Sequence, residues 1–178
     1  MIYKFRAILD AEDDVFRDIA IQEDDTLEDL HNAIVNAFGF DGLEVASFYT
    51  CDDTWNQEEE IPMFDMGDTP GEQKTMSDYP LNELLNKDQT KIIYVYDFIN
   101  MWTFLVELAA IEEAVPGEVY PSLLFSHGEL PASAPDKEFE AENDDFQSEF
   151  EDDLDEDDLD MFSGDDSFED YGYEENWN

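Results

Sequence analysis

The residues able to do chemistry in this chain form a short cast. Two histidines (His31 and His127), one cysteine (Cys51) and seven basic residues stand among fifty carboxylates. General acid–base work needs a carboxylate or imidazole whose pKa is shifted inside a pocket, and fifty carboxylates single none out. Zinc sites favour Cys or His ligands a few residues apart, whereas Cys51, His31 and His127 are widely separated. They read instead as a histidine on a helix core face and a small buried thiol. No Asp-x-Asp-x-Asp-Gly run with a glutamate at the twelfth position marks a calcium loop. Neither a glycine-rich phosphate loop nor a serine elbow occurs. No metal and no cofactor is therefore expected. One constellation remains as a candidate for catalysis or small-ligand binding: Arg17, His31, Asp97 and Trp102, which could meet on one sheet face. The plain structural alternative is that Arg17 pairs with Asp97 and Trp102 packs in the core. An enzymatic role is the less favoured reading.

A second set lies near the C-terminus. Residues 136–178 hold 21 acidic residues and one base, Lys137. Phe139, Phe146, Phe150, Leu154, Leu159, Phe162, Phe168, Tyr171, Tyr173 and Trp177 recur through them. Such charge is expected to keep a segment expanded and its apolar side chains open to solvent. Phe146, Phe150 and Leu154 share a helical face. With Leu159 and Phe162 they are candidates for docking into a partner's groove while the acids meet a basic rim. The bland alternative is a solubilising tail.

The whole chain carries a formal charge of −43 over 178 residues. A surface of this sign repels polyphosphates, because nucleic-acid binding depends on Lys and Arg displacing counterions. It also repels anionic headgroups. Direct contact with nucleic acid or with a membrane surface is not expected; a basic protein is the expected partner. A sharper version is mimicry of nucleic acid by ordered carboxylates on the folded part. The opening MIYKFRAILD has no long apolar stretch of the signal-peptide kind. The most apolar run, Met101 to Ile111, is broken by Glu107 and falls well short of a bilayer span. With a single cysteine, a reducing, cytoplasmic location is expected.

The elements that must position these residues follow from periodicity. Ile2 to Leu9 alternates as a strand and pairs through a polar turn with a second strand over Val15 to Ile21. Thr26 caps a helix with Asp29 three residues on. Leu27, Leu30, His31, Ile34, Val35 and Phe38 form its apolar face, and Gly39 ends it. Val45 to Cys51 is a third strand. Residues 52–78 read as a long irregular loop in which Trp55, Met63, Phe64 and Met66 could fold back on the core. Pro80 to Asn86 reads as one or two helical turns. Lys91 to Phe98 and Trp102 to Ile111 form a second hairpin about a turn at Ile99–Met101. Tyr120 to Ser126 is an edge strand. This is an α+β layout: one mixed or antiparallel sheet, a main helix packed on one face, and a disordered acidic C-terminal tail. Its opening strand–strand–helix–strand order resembles half of a ubiquitin-like β-grasp. A domain over 1–130 is expected to be followed by a disordered, aromatic-spaced tail over 131–178.

Three stretches resemble the domain family named after the third open reading frame of the Ri plasmid, whose members are also described as insertion-element passenger or TnpR-type proteins. Val15-Phe16-Arg17 resembles the family's Trp-Arg-Arg strand. Leu30-His31-Asn32-Ala33-Ile34 through Ala37-Phe38-Gly39-Phe40 resembles its helix. Tyr96-Asp97-Phe98 with Trp102 resembles its Tyr-Asp-Phe-Gly-Asp-x-Trp hairpin. The resemblance covers about residues 1–125. Ile99 and Asn100 replace the family's Gly-Asp, and Phe104 stands where a histidine is common. The family carries no established activity, so the resemblance implies a fold and, at most, a mobile-element passenger of no autonomous activity. Resolvase chemistry is not implied: a serine recombinase needs a nucleophilic serine among several arginines, and Arg6 and Arg17 are the only arginines.

Overall fold

The first strand, β1 (Ile2–Leu9), buries alternate side chains: Tyr3, Phe5, Ala7 and Leu9 all lie in the core. Strand β2 (Phe16–Gln22) runs back along it, setting Ile21 opposite Tyr3, Ile19 opposite Phe5 and Arg17 opposite Ala7. Because side chains alternate across a strand, this register places Arg17 on the core face. The computed structural model describes residues 1–135.

Helix α1 (Leu27–Phe38) forms where the periodicity predicts it. The Thr26 hydroxyl accepts from the Asp29 N–H, and the Asp29 carboxylate accepts from the Thr26 N–H. This reciprocal pair satisfies N–H groups that lack partners in the first turn. Gly39 closes the helix at φ 77°, a left-handed conformation that glycine adopts without strain. The apolar face from Leu27 to Phe38, His31 included, is buried against the sheet.

Strands β3 (Ala46–Cys51), β4 (Gln57–Pro62), β5 (Lys91–Tyr96), β6 (Trp102–Glu112) and β7 (Ser122–His127) complete one seven-stranded sheet. Its order is β4-β3-β5-β6-β1-β2-β7, and every pairing is antiparallel. β3 joins β4 and β5, and β1 takes the antiparallel β6 as its second neighbour, where a β-grasp would set a parallel strand. A 3-10 turn (Met76–Asp78) and the short helix α2 (Leu81–Leu84) bury Met76, Leu81 and Leu85.

The segment 52–78 is more ordered than a loop. Asp52 accepts from the backbone and side chains of Thr54 and Asn56, closing a tight turn that leads into β4. Gln57–Glu60 escaped the sequence reading because consecutive glutamates are poor strand formers. Here they occupy a sheet edge, where charge blocks pairing with other chains. Trp55 and Met63 pack on apolar clusters, but Phe64 and Met66 stay exposed. No helix among the described residues is long and apolar enough to cross a membrane.

Candidate functional site

Arg17 reaches the C-terminal end of α1. Its Nε donates to the Ala37 carbonyl at 3.3 Å, and Nη1 donates to the carbonyls of Phe16 at 2.8 Å and His127 at 2.9 Å. Its guanidinium lies over the Phe38 ring, 4.9 Å from the centroid. The last turn of α1 contains no basic residue of its own; β2 supplies the positive charge that a helix C-terminus favours. Burial lowers the Arg17 pKa from its ordinary value, and the guanidinium keeps its charge. Arg17 does not pair with Asp97. Its side chain binds three backbone carbonyls and joins α1, β2 and β7.

His31 is buried beneath the same helix and shares a 2.7 Å hydrogen bond, through Nδ1, with the Tyr94 hydroxyl. Burial lowers the imidazole pKa and raises that of Tyr94. From this pair an aromatic series crosses the core. Tyr94 meets Phe104 at 5.9 Å and Phe48 at 4.9 Å, and Phe104 meets Phe38 at 4.6 Å. Phe40 stacks on Tyr96 at 4.4 Å and meets Trp102 edge-on at 5.5 Å. Trp102 sits directly across from Tyr96 and is 9% exposed.

Asp97 governs the turn between β5 and β6. Its carboxylate accepts from the Ile99 and Asn100 N–H groups and from the Asn100 side chain. The bond from the Asn100 side chain is the main reason its pKa lies below the usual carboxylate value. The backbone is left-handed at Asp97 (φ 62°) and at Met101 (φ 58°), a region sparsely used by residues other than glycine. Asn100 supplies the side-chain donor that holds this carboxylate.

No hydrogen bond or ion pair joins any two of Arg17, His31, Asp97 and Trp102 among the described residues. Arg17, Asp97 and Trp102 belong to one end of the sheet, and each is engaged by its own neighbours. No buried side-chain nitrogen or oxygen among the described residues lacks a partner. The candidate docking residues Phe146, Phe150, Leu154, Leu159 and Phe162 lie outside the described residues.

Two other features bear on chemistry. An open cavity of about 530 Å³ lies at the opposite end, lined by Cys51, Glu58, Glu59, Leu84, Gln89 and Lys91 among others. The Cys51 thiol is buried, and burial raises its pKa to about 11. Such a thiol carries almost no thiolate and is a poor nucleophile or metal ligand. Among the described residues, no three His, Cys, Asp or Glu side chains gather as a metal site would need. What the sequence reading missed is apolar: Leu43, Phe98, Ile99 and Met101 are exposed on turns beside Arg17's end of the sheet. Their signal in the sequence was apolar residues placed inside turn segments.

These features define an α+β protein built on one antiparallel sheet, whose most distinctive side chains fasten a helix end and a hairpin turn. The chain belongs to the plasmid pRiA4b ORF-3-like protein family, whose model matches residues 2–162. No curated protein matches it significantly. Among solved structures it is similar to a protein of unknown function from Methanosarcina mazei Go1. The two share 21% identity over 70% of this chain and 68% of that one, with a TM-score of 0.61. At that identity the likeness concerns the fold.

Proposed function

We propose that this protein is an interaction module for a basic protein partner. The observation that carries the reading is uncompensated charge on an ordered scaffold. Residues 1–135 contain 29 carboxylates and six basic residues. Among the described residues the ion pairs are three: the N-terminus with Glu23, Lys4 with Glu112, and Arg6 with Asp18. Most carboxylates therefore face water without a cation. A field of this kind speeds encounter with positively charged proteins and repels polyanions. The burial of His31 and Trp102 and the full engagement of Arg17 and Asp97 weigh against the alternative of a catalytic centre. A cytoplasmic setting fits the single buried thiol and belongs to the same proposal.

Affinity capture with the full-length chain, at low and high salt, tests the reading. Lys- and Arg-rich proteins released by salt are the expected result. Capture that ignores salt, or that enriches no basic protein, would contradict it.

A further inference from the structure

One end of the sheet carries a group of the large exposed apolar side chains among the described residues; others, such as Leu123, Leu124 and Phe125 on β7, lie elsewhere. β3 and β6 begin there, and β4 and β5 finish there. Ala46 pairs with Tyr96, Tyr96 with Trp102, and Ser47 with Pro62. Two further backbone bonds tie the adjoining loops together: the Asp97 N–H donates to the Val45 carbonyl at 2.9 Å, and the Met63 N–H to the Ala46 carbonyl at 3.3 Å. Segments 39–45, 63–68 and 97–101 are thereby brought to the same end. They present Leu43 (82% exposed), Met66 (79%) and Ile99 (89%), with Phe64, Phe98 and Val45 beside them. Single exposed apolar residues are ordinary, but several displayed on adjoining loops at one end of a sheet are the kind of grouping that marks contact surfaces.

The loops that carry the set are held by internal bonds. Asp97 fastens the turn at Ile99 and Asn100. The Tyr96 hydroxyl donates to Asp41 and accepts from the Gly42 N–H. Asp65 accepts from the Gly67 and Gly71 N–H groups. Two residues other than glycine, Asp97 and Met101, hold left-handed backbone in the turn that exposes Ile99; strain of this kind persists where the surroundings enforce it. Side chains displayed on a stiff frame lose less entropy on binding than those on a floppy loop. The charge here has one sign. The three segments contain Asp41, Glu44, Asp65, Asp68 and Asp97, and no lysine or arginine.

We propose that this end of the sheet is the docking surface for a protein whose own contact area is an apolar centre ringed by lysines and arginines. The inference rests on the charge reading above and assigns it a place. Exposed apolar side chains on loops that also carry the exposed carboxylates Asp41, Glu44, Asp65 and Asp68 match that partner in both terms. A second copy of the chain would set like charge against like charge, which is unfavourable.

The test uses the full-length chain and two synthetic peptides of equal length and charge, one an amphipathic Leu/Lys helix and the other Ser/Lys. Anisotropy titrations at about 0.15 M salt compare them where surface charge is partly screened. The Leu/Lys peptide should bind at least about tenfold more tightly, a difference set by apolar contact. The exposed triple variant Leu43→Ser, Met66→Ser, Ile99→Ser should erase that advantage and leave Ser/Lys binding unchanged. Amide exchange near 43–45, 64–66 and 98–101 should slow on binding the Leu/Lys peptide. Equal binding of the two peptides, or an advantage that survives the triple substitution, overturns the docking surface alone. Self-association of the free chain that the triple variant abolishes also overturns it, in favour of a second copy. If neither peptide binds, the charge reading falls and the docking surface with it.

Discussion

Replacing Arg17 should cost stability. Its guanidinium donates to the carbonyls of Ala37, Phe16 and His127 and covers the Phe38 ring. A hydrogen bond from a charged donor contributes about 1.5–3 kcal/mol, and the cation–π contact adds about 0.5–1 kcal/mol. Recovered hydration of the guanidinium in the unfolded chain offsets part of this. The bond to Ala37, at 3.3 Å, is the weakest of the three. The expected net loss for Arg17→Met is about 2–4 kcal/mol, at the upper end of what single substitutions cost, as loss of a buried hydrogen-bond network does. Arg17→Lys should lose about 1–2 kcal/mol, because one ammonium cannot reproduce the planar fork or the stacking. Urea unfolding followed by tryptophan fluorescence measures both. The comparison belongs at about 0.5 M NaCl, where general repulsion among carboxylates is screened and loss of one positive charge matters little. If Arg17→Met is within about 0.5 kcal/mol of the wild type, the fastening role is wrong, and Arg17 is free for a functional one.

Other outcomes follow from the same structure. His31 is buried and its pKa is lowered from 6.5. The unfolded chain therefore takes up a proton below the ordinary value while the folded chain resists it, and stability from this group falls as pH drops from 6.5 towards the folded pKa. Melting temperatures against pH should show that decline in the wild type but not in His31→Gln. Asp97→Asn should cost less than Asp97→Ala, about 1 against about 2 kcal/mol, because asparagine tolerates left-handed backbone and still accepts from the turn. Chemical denaturation of both variants checks the order. Gly128 has φ 75°, and a Cβ there would lie 2.5 Å from the Asp14 carbonyl oxygen. Gly128→Ala should lower the melting temperature by several degrees, and a silent substitution would contradict that contact. Added salt should raise the wild-type melting temperature by screening carboxylate repulsion.

Much of the framework was legible because the signals were local. The capping pair Thr26 and Asp29, the apolar face of α1 and Gly39 each act within a few residues, and all stand as expected. The hairpin of β1 with β2 was visible from the alternation in β1, and that of β5 with β6 from the β-rich run at β5 and the turn after it. β4 was hidden because its glutamates follow the logic of a sheet edge, a position no local pattern reveals. The pairing of Arg17 with Asp97 was expected from charge alone. Arg17 faces inward opposite Ala7, beside the last turn of α1, while Asp97 is occupied by its own turn. Both facts depend on which loop ends meet in space. The apolar end of the sheet was hidden for the same reason, since Leu43, Met66 and Ile99 are far apart in sequence.

The claim that charge selects the partner is tested most directly by titrating the full-length chain, in parallel, into a labelled lysine-rich peptide and a labelled duplex DNA across a salt series. The account predicts peptide binding that weakens steadily as salt rises, with no DNA binding at any point. DNA binding that strengthens as salt falls would contradict it.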